Sequence, residues 1–170
     1  MRIQILQIAK TKETAIAELE AEYEKRLGAF AQIENCILPA GKKDEREAAQ
    51  LEEKEVFFKK LDRDSRIIAL DGRGKQLTTE EFAELLRKER DFGTGRIQFL
   101  IGGSHGLHPD VLAAAHQILS LSKMTFTHEM VRVFLKEQIY RAFTILAGKK
   151  YHKGSFPLPP SRLQPCFSCF

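Results

Sequence analysis

The sequence has no tryptophan, only three cysteines and six prolines in 170 residues, and no apolar stretch near the roughly 18 residues that span a bilayer as a helix. Each shortage excludes something. Cys36, Cys166 and Cys169 leave an odd thiol, which fits reduced side chains rather than a secreted disulfide framework. The pair Cys166-Phe-Ser-Cys169 offers two ligands where structural zinc takes four, so no metal is expected. Without a long apolar run, and with a segment Met1 to Lys10 unlike a signal peptide, the chain is expected to be cytoplasmic and independent of membranes. There is no Gly-Lys-Ser/Thr for a triphosphate and no G-x-G-x-x-G for a dinucleotide. What is present is a composition 43% apolar and 29% charged, enough for one folded domain. Its net charge of +4 permits a polyanionic partner without requiring one.

Alternation over Arg2 to Ala9 predicts a strand, and Ile16, Leu19, Tyr23 and Leu27 recur at helical spacing before Gly28, with Glu18, Glu22 and Lys25 outward. A second strand is expected at 32–38, then a basic loop Pro39 to Lys43 and a charged helix from Asp44 to Leu61. Arg66 to Leu70 reads as a third strand entering a turn, Asp71-Gly-Arg-Gly-Lys75. Thr78 and Glu81 have capping-box spacing, with Phe82, Leu85 and Leu86 as the buried stripe behind them. Strand four, 97–101, ends in Gly102-Gly-Ser-His-Gly106, and Pro109 suits the first turn of a short helix. A brief strand over 118–121 leads to Ser122 to Thr127 and a final helix, His128 to Leu146.

Five strands alternating with helices predict an α/β domain with a largely parallel sheet. The loops after Leu70, Ile101 and Leu121 leave carboxyl ends of strands, where ligands of such sheets gather, and are expected to converge on one crevice. Apolar residues wrap more than one face of the final helix, so either the other helices or a second subunit must cover them. Four of the six prolines lie past Lys153, so 154–170 reads as a disordered or expression-derived tail on a 1–153 domain.

The loop glycines carry two chemical readings beside a purely structural turn. Gly102-Gly-Ser-His-Gly106 matches the nucleophile-elbow pattern, with Asp110 or Glu129 and then His152 available to complete a triad on Ser104. The same glycines suit the wall of a cofactor pocket, where a planar group presses on backbone. His128 can act as a base or hydrogen-bond donor at neutral pH, and Arg132, Arg141, Tyr151 and His152 can meet RNA, as can Lys42, Lys43, Arg73 and Lys75 from loops.

Taken together, Leu70-Asp71, Phe99-Leu-Ile-Gly-Gly-Ser-His-Gly-Leu107, Leu119-Ser-Leu-Ser-Lys-Met-Thr-Phe126, His128, Val131-Arg-Val133, Glu137-Gln-Ile-Tyr-Arg-Ala142 and Tyr151-His-Lys153 resemble the SPOUT-class methyltransferase H family of the bacterial ribosome. The likeness runs in order through residues 1 to 153. It implies a SPOUT-type parallel sheet flanked by helices, with a C-terminal trefoil knot. It also implies a homodimer that moves a methyl group from S-adenosyl-L-methionine to nitrogen-3 of a pseudouridine in large-subunit (23S) ribosomal RNA, within the assembled ribosome. By the same likeness Leu70, Gly102, Gly103, Leu121, Ser122, Lys123, Met124, Thr125 and Phe126 hold the donor. His128, Arg141, Tyr151 and His152 serve the nucleotide. The chain departs from the family pattern at Thr127, where proline is common, and in its seventeen residues past Lys153, which could impede the substrate. Two rivals stand beside this reading. A ribosome-binding protein without turnover would bind donor but incorporate no methyl, and a serine hydrolase would be labelled at Ser104 by a fluorophosphonate.

Overall fold

The computed structural model describes residues 1–149; Tyr151, His152 and the 154–170 segment lie outside them. In chain order the elements are β1 (Arg2–Ile8), α1 (Thr14–Leu27), β2 (Gln32–Leu38), α2 (Arg46–Phe58), β3 (Arg66–Gln76), α3 (Thr79–Phe92), β4 (Arg96–Ile101), α4 (Pro109–Ala114), β5 (Gln117–Ser120) and α5 (His128–Leu146). The five strands form one parallel sheet in the order β2-β1-β4-β3-β5, as the strand–helix alternation predicts.

Side chains alternate across the central strands, so both faces are apolar and both need cover. Ile3 and Ile5 of β1, Ile68 and Leu70 of β3, and Ile97, Phe99 and Ile101 of β4 meet α1, α3 and α5. Leu6, Ile8, Ile67, Ala69 and Leu100 meet Phe57 of α2 and Val111 and Leu112 of α4. Leu135, Ile139, Ala142 and Phe143 of α5 are buried in the first of these cores, so the protomer itself covers much of that helix. Among the described residues no helix is long and apolar enough to cross a membrane.

Several expectations change in detail. On α1 Leu27 is buried as expected, but Glu20 is buried too while Leu19 stays 48% exposed, because Lys136 of α5 is wholly buried opposite and needs carboxylates. The turn expected at 71–75 is an irregularity inside β3. Pairing with β5 jumps from Leu70 to Lys75, and Gly74 is needed because a Cβ would sit 2.7 Å from the backbone of Ile118. The capping box of α3 forms as spaced, Thr78 accepting from the Glu81 N–H and Glu81 from the Thr78 N–H. Thr127 caps α5 by accepting from the Met130 N–H at 3.3 Å.

Candidate functional site

The strand order reverses between β1 and β4, since the crossover leaving β1 runs outward to β2 on one side and the one leaving β4 runs past β3 to β5 on the other. Loops leaving a parallel sheet at such a point diverge and open a cleft. A cleft of about 370 Å³ lies there, lined by Ala9, Lys10 and Lys12 after β1, Gly41 and Lys43 after β2, Gly103 to His105 after β4, Glu53 of α2, and His128 with Glu129. Charged side chains line much of it, and Lys10, Lys12 and Lys43 are exposed.

Each wall has a local cause. Ala9, with φ of +60°, is among the described residues the one non-glycine residue of positive φ, and its left-handed turn swings the chain from β1 toward α5. In Gly102–Gly106 the Gly106 N–H donates to the Gly103 carbonyl at 3.0 Å, and Gly106 has φ of +76°. The loop packs on itself at Gly102, where a Cβ would lie 2.6 Å from the Gly106 carbonyl carbon. That glycine serves the turn. Gly103 faces the cleft, where a Cβ would lie 3.1 Å from Glu53 Oε1 and 3.2 Å from Ile8 Cγ2.

Burial first, then the cations Arg132 and Lys12, hold His128 below the ordinary histidine pKa, so its imidazole is neutral near pH 7. Glu53 shifts the other way. Burial raises its carboxyl pKa against the hydrogen bonds it accepts from the backbone of Gly41 and Gly103. His108 and His116 have structural tasks instead, their Nδ1 atoms accepting from the Asp110 and Ile67 N–H groups at 3.0 and 2.9 Å.

A second, less polar crevice of about 260 Å³ lies at the ends of β3 and β5. Leu70, Asp71, Leu121, Ser122, Lys123, Met124, Thr125, Phe126 and Val131 line it. On the other side of the same loop a hollow of about 330 Å³ runs past Leu77, Phe82, Phe126 and Phe134. The Ser122 hydroxyl accepts from the Met124 N–H at 2.9 Å, tightening the loop and leaving Met124 74% exposed. The Arg73 guanidinium holds the Asp71 carboxyl below the usual carboxylate range, so an ionised oxygen pair stands at the crevice edge.

The expected donor residues therefore divide. Leu70 and Leu121 to Phe126 share the less polar crevice, Gly103 lines the polar cleft with His128, and Gly102 is buried in its own turn. The first turn of α5 borders both spaces, His128 and Glu129 in one and Val131 in the other. Arg141, thirteen positions after His128 and so roughly 20 Å along the helix axis, binds Glu137 of its own helix.

Arg132 is not an RNA-facing residue. It is wholly buried, donating to the Ile8 carbonyl at 2.6 Å and to Thr11 Oγ1 at 2.9 Å. Nor is Ser104 set as a nucleophile: its φ is not positive, Asp110 pairs with Lys54, and Glu129 accepts from the Lys12 N–H, so neither acid serves a triad. The loop 9–13 was invisible as a site in the sequence. Lys10 and Lys12 carry no motif, and the strand order that makes their loop central is not a local property.

Residues 1–152 match the family model of predicted SPOUT methyltransferases. Among solved structures the chain is similar to a probable methyltransferase from Bordetella pertussis Tohama I, with a TM-score of 0.56 at 15% identity over 84% of this chain and 96% of that one. It is also similar to a probable methylase family protein from Haemophilus influenzae Rd KW20, with a TM-score of 0.53 at 19% identity over 89% of this chain and 70% of that one. At such identities the two neighbours attest the fold.

Proposed function

The chain belongs to the SPOUT methyltransferase family, and from that premise we propose that it methylates nitrogen-3 of a pseudouridine in large-subunit ribosomal RNA, within the assembled ribosome, using S-adenosyl-L-methionine. One observation carries the reading: the first turn of α5 places a neutral histidine in a cation-rimmed cleft while its next residues border the less polar crevice.

The crevice suits the donor. Its side chains from Leu70, Leu121 and Phe126 can take a flat purine, the backbone of 122–125 offers hydrogen bonds, and ionised Asp71 can accept from ribose hydroxyls. When bound, the donor supplies an electrophilic methyl carbon on a sulfonium whose charge also favours the anionic form of the base. The protein's own work is placement and proton handling. The target nitrogen bears a proton that must leave, and neutral His128 can accept it or orient the base through it. Gly103 leaves room for the base beside His128. Holding nucleophile and electrophile in line supplies much of the acceleration, without a covalent enzyme intermediate.

Arg141, Tyr151 and His152 belong to this proposal through a two-fold homodimer, in which the end of one chain lies over the crevice of its partner. The distance of Arg141 from the cleft of its own chain and the bare apolar side chains Met124 and Phe126 support it. The trefoil knot is part of the same reading, supported by β5 lying outside β3 while α5 returns to pack against α1 and α3. The test is incubation with radiolabelled donor and ribosomes from cells lacking the modification. Label at nitrogen-3 of one pseudouridine is the expected result. Donor binding without incorporation would instead favour a ribosome-binding protein without turnover.

A further inference from the structure

The segment 9–13 is held to the start of α5 more firmly than a surface loop requires. Arg132, with no exposed surface, donates to the Ile8 carbonyl and to Thr11 Oγ1, and Thr11 in turn donates to buried Glu20. Glu129 accepts from the Lys12 N–H at 2.9 Å and from the backbone of Glu13. Ala9 takes up a left-handed turn to make these contacts possible. Buried charge and a strained residue persist only where surrounding structure imposes them, and both are spent here on a loop whose side chains Lys10 and Lys12 are exposed at the cleft.

We infer that Lys12 is a phosphate-binding residue for the RNA strand flanking the target nucleotide, and that Glu129 is the positioning residue that sets it beside His128. The inference rests on the function proposed above and names how the acceptor strand is gripped. Facing Lys12 across the cleft are Lys10, Lys43, His105 and His128, and the carboxylates Asp44, Glu53 and Glu129. Glu53 and Glu129 direct oxygens to backbone N–H groups of Gly41 and Lys12, so these two acids are engaged by the protein itself. Glu53 and Glu129 are also buried, so the exposed charges at the cleft mouth are Lys10, Lys12 and Lys43 against Asp44 alone, a net cationic edge that suits a phosphodiester more than a free base.

The test uses the whole chain, with ribosomes from cells lacking the modification as probe. For Lys12→Ala the expected result is a KM for ribosomes raised about tenfold, kcat and donor affinity within about twofold, and a salt dependence shallower by about one ion. Glu129→Ala should raise KM similarly, Glu129→Gln should restore it because the amide oxygen still accepts, and the Lys12→Ala/Glu129→Ala double variant should be no worse than either single. An unchanged KM for Lys12→Ala, a parallel loss of donor affinity, or multiplicative effects in the double variant would overturn the inference. Sedimentation of ribosomes with each variant reads the same ratios without turnover. Salt-sensitive binding weakened by Lys12→Ala, with no methyl incorporated by the unaltered chain, would overturn the enzymatic reading and sustain the phosphate contact.

Discussion

The two spaces beside the first turn of α5 are built in opposite ways. The polar cleft is locked by buried ions, Arg132 against the Ile8 carbonyl and Lys136 against Glu20 and Glu24, and by backbone hydrogen bonds to Glu129 and Glu53. The less polar crevice lies between β3, α5 and the 121–126 loop, which is braced at Ser122 by the Ser120 hydroxyl and the Met124 N–H and bears exposed Met124 and Phe126. The contrast teaches which side is complete in the protomer. A charged partner must find its contacts already in place, since reorganising charge is expensive, whereas an apolar surface can wait for a ligand or a second subunit to cover it.

The largest effect should come from unlocking the cleft. Lys136→Met leaves Glu20 and Glu24 facing an apolar side chain and should cost about 3 to 5 kcal/mol in denaturant unfolding, because a carboxylate stripped of its buried partner is worse than no pair. A loss below about 1 kcal/mol would mean that water reaches this pair. On the crevice side, Phe126→Ala removes the ring that meets Phe134 at 4.8 Å between centroids, at little cost in stability. It should weaken donor binding about tenfold by calorimetry and leave ribosome binding unchanged, the mirror image of the Lys12 variant. A fall in both would show that the two spaces are one.

The effects of pH are smaller and of known sign. Because folding depresses the His128 pKa from 6.5, the unfolded chain takes the proton first, so this histidine's contribution is full above about pH 6.5 and declines as pH falls toward the folded value. Replacing His128 with Asn should flatten that limb of stability and remove the matching acid limb of kcat. Glu53, raised from 4.5, works oppositely: the unfolded chain releases its proton first, so stability falls as pH rises through that range. Glu53→Gln should therefore raise the melting temperature at pH 7 more than at pH 4. The smallest effect belongs to Ser104→Ala, whose hydroxyl lies in an exposed turn and should leave methyl transfer within about tenfold.

What was legible beforehand followed the range of the forces involved. Short-range signals sufficed for β2 and α5, which match the residue pattern end to end, and for the cap at Thr78. Leu19 and Glu20 inverted because their burial depends on Lys136, more than a hundred positions away. Arg132 departs from its expected exposure for the same reason, an arginine on a helix being solvated unless a carbonyl such as that of Ile8 meets it inside. The three strand-end loops were identifiable, yet their division between two spaces depends on how Gly102–Gly106 folds on itself.

The most direct test of the two-space account is a crystal structure of the complex with the demethylated donor, S-adenosylhomocysteine. The account predicts its adenine among Leu70, Leu121 and Phe126, its ribose toward Asp71, and its sulfur directed at the His128 side of α5, with Lys10, Lys12 and Lys43 left free for RNA. Adenosine seated between Lys12 and Gly103 in the polar cleft would contradict it.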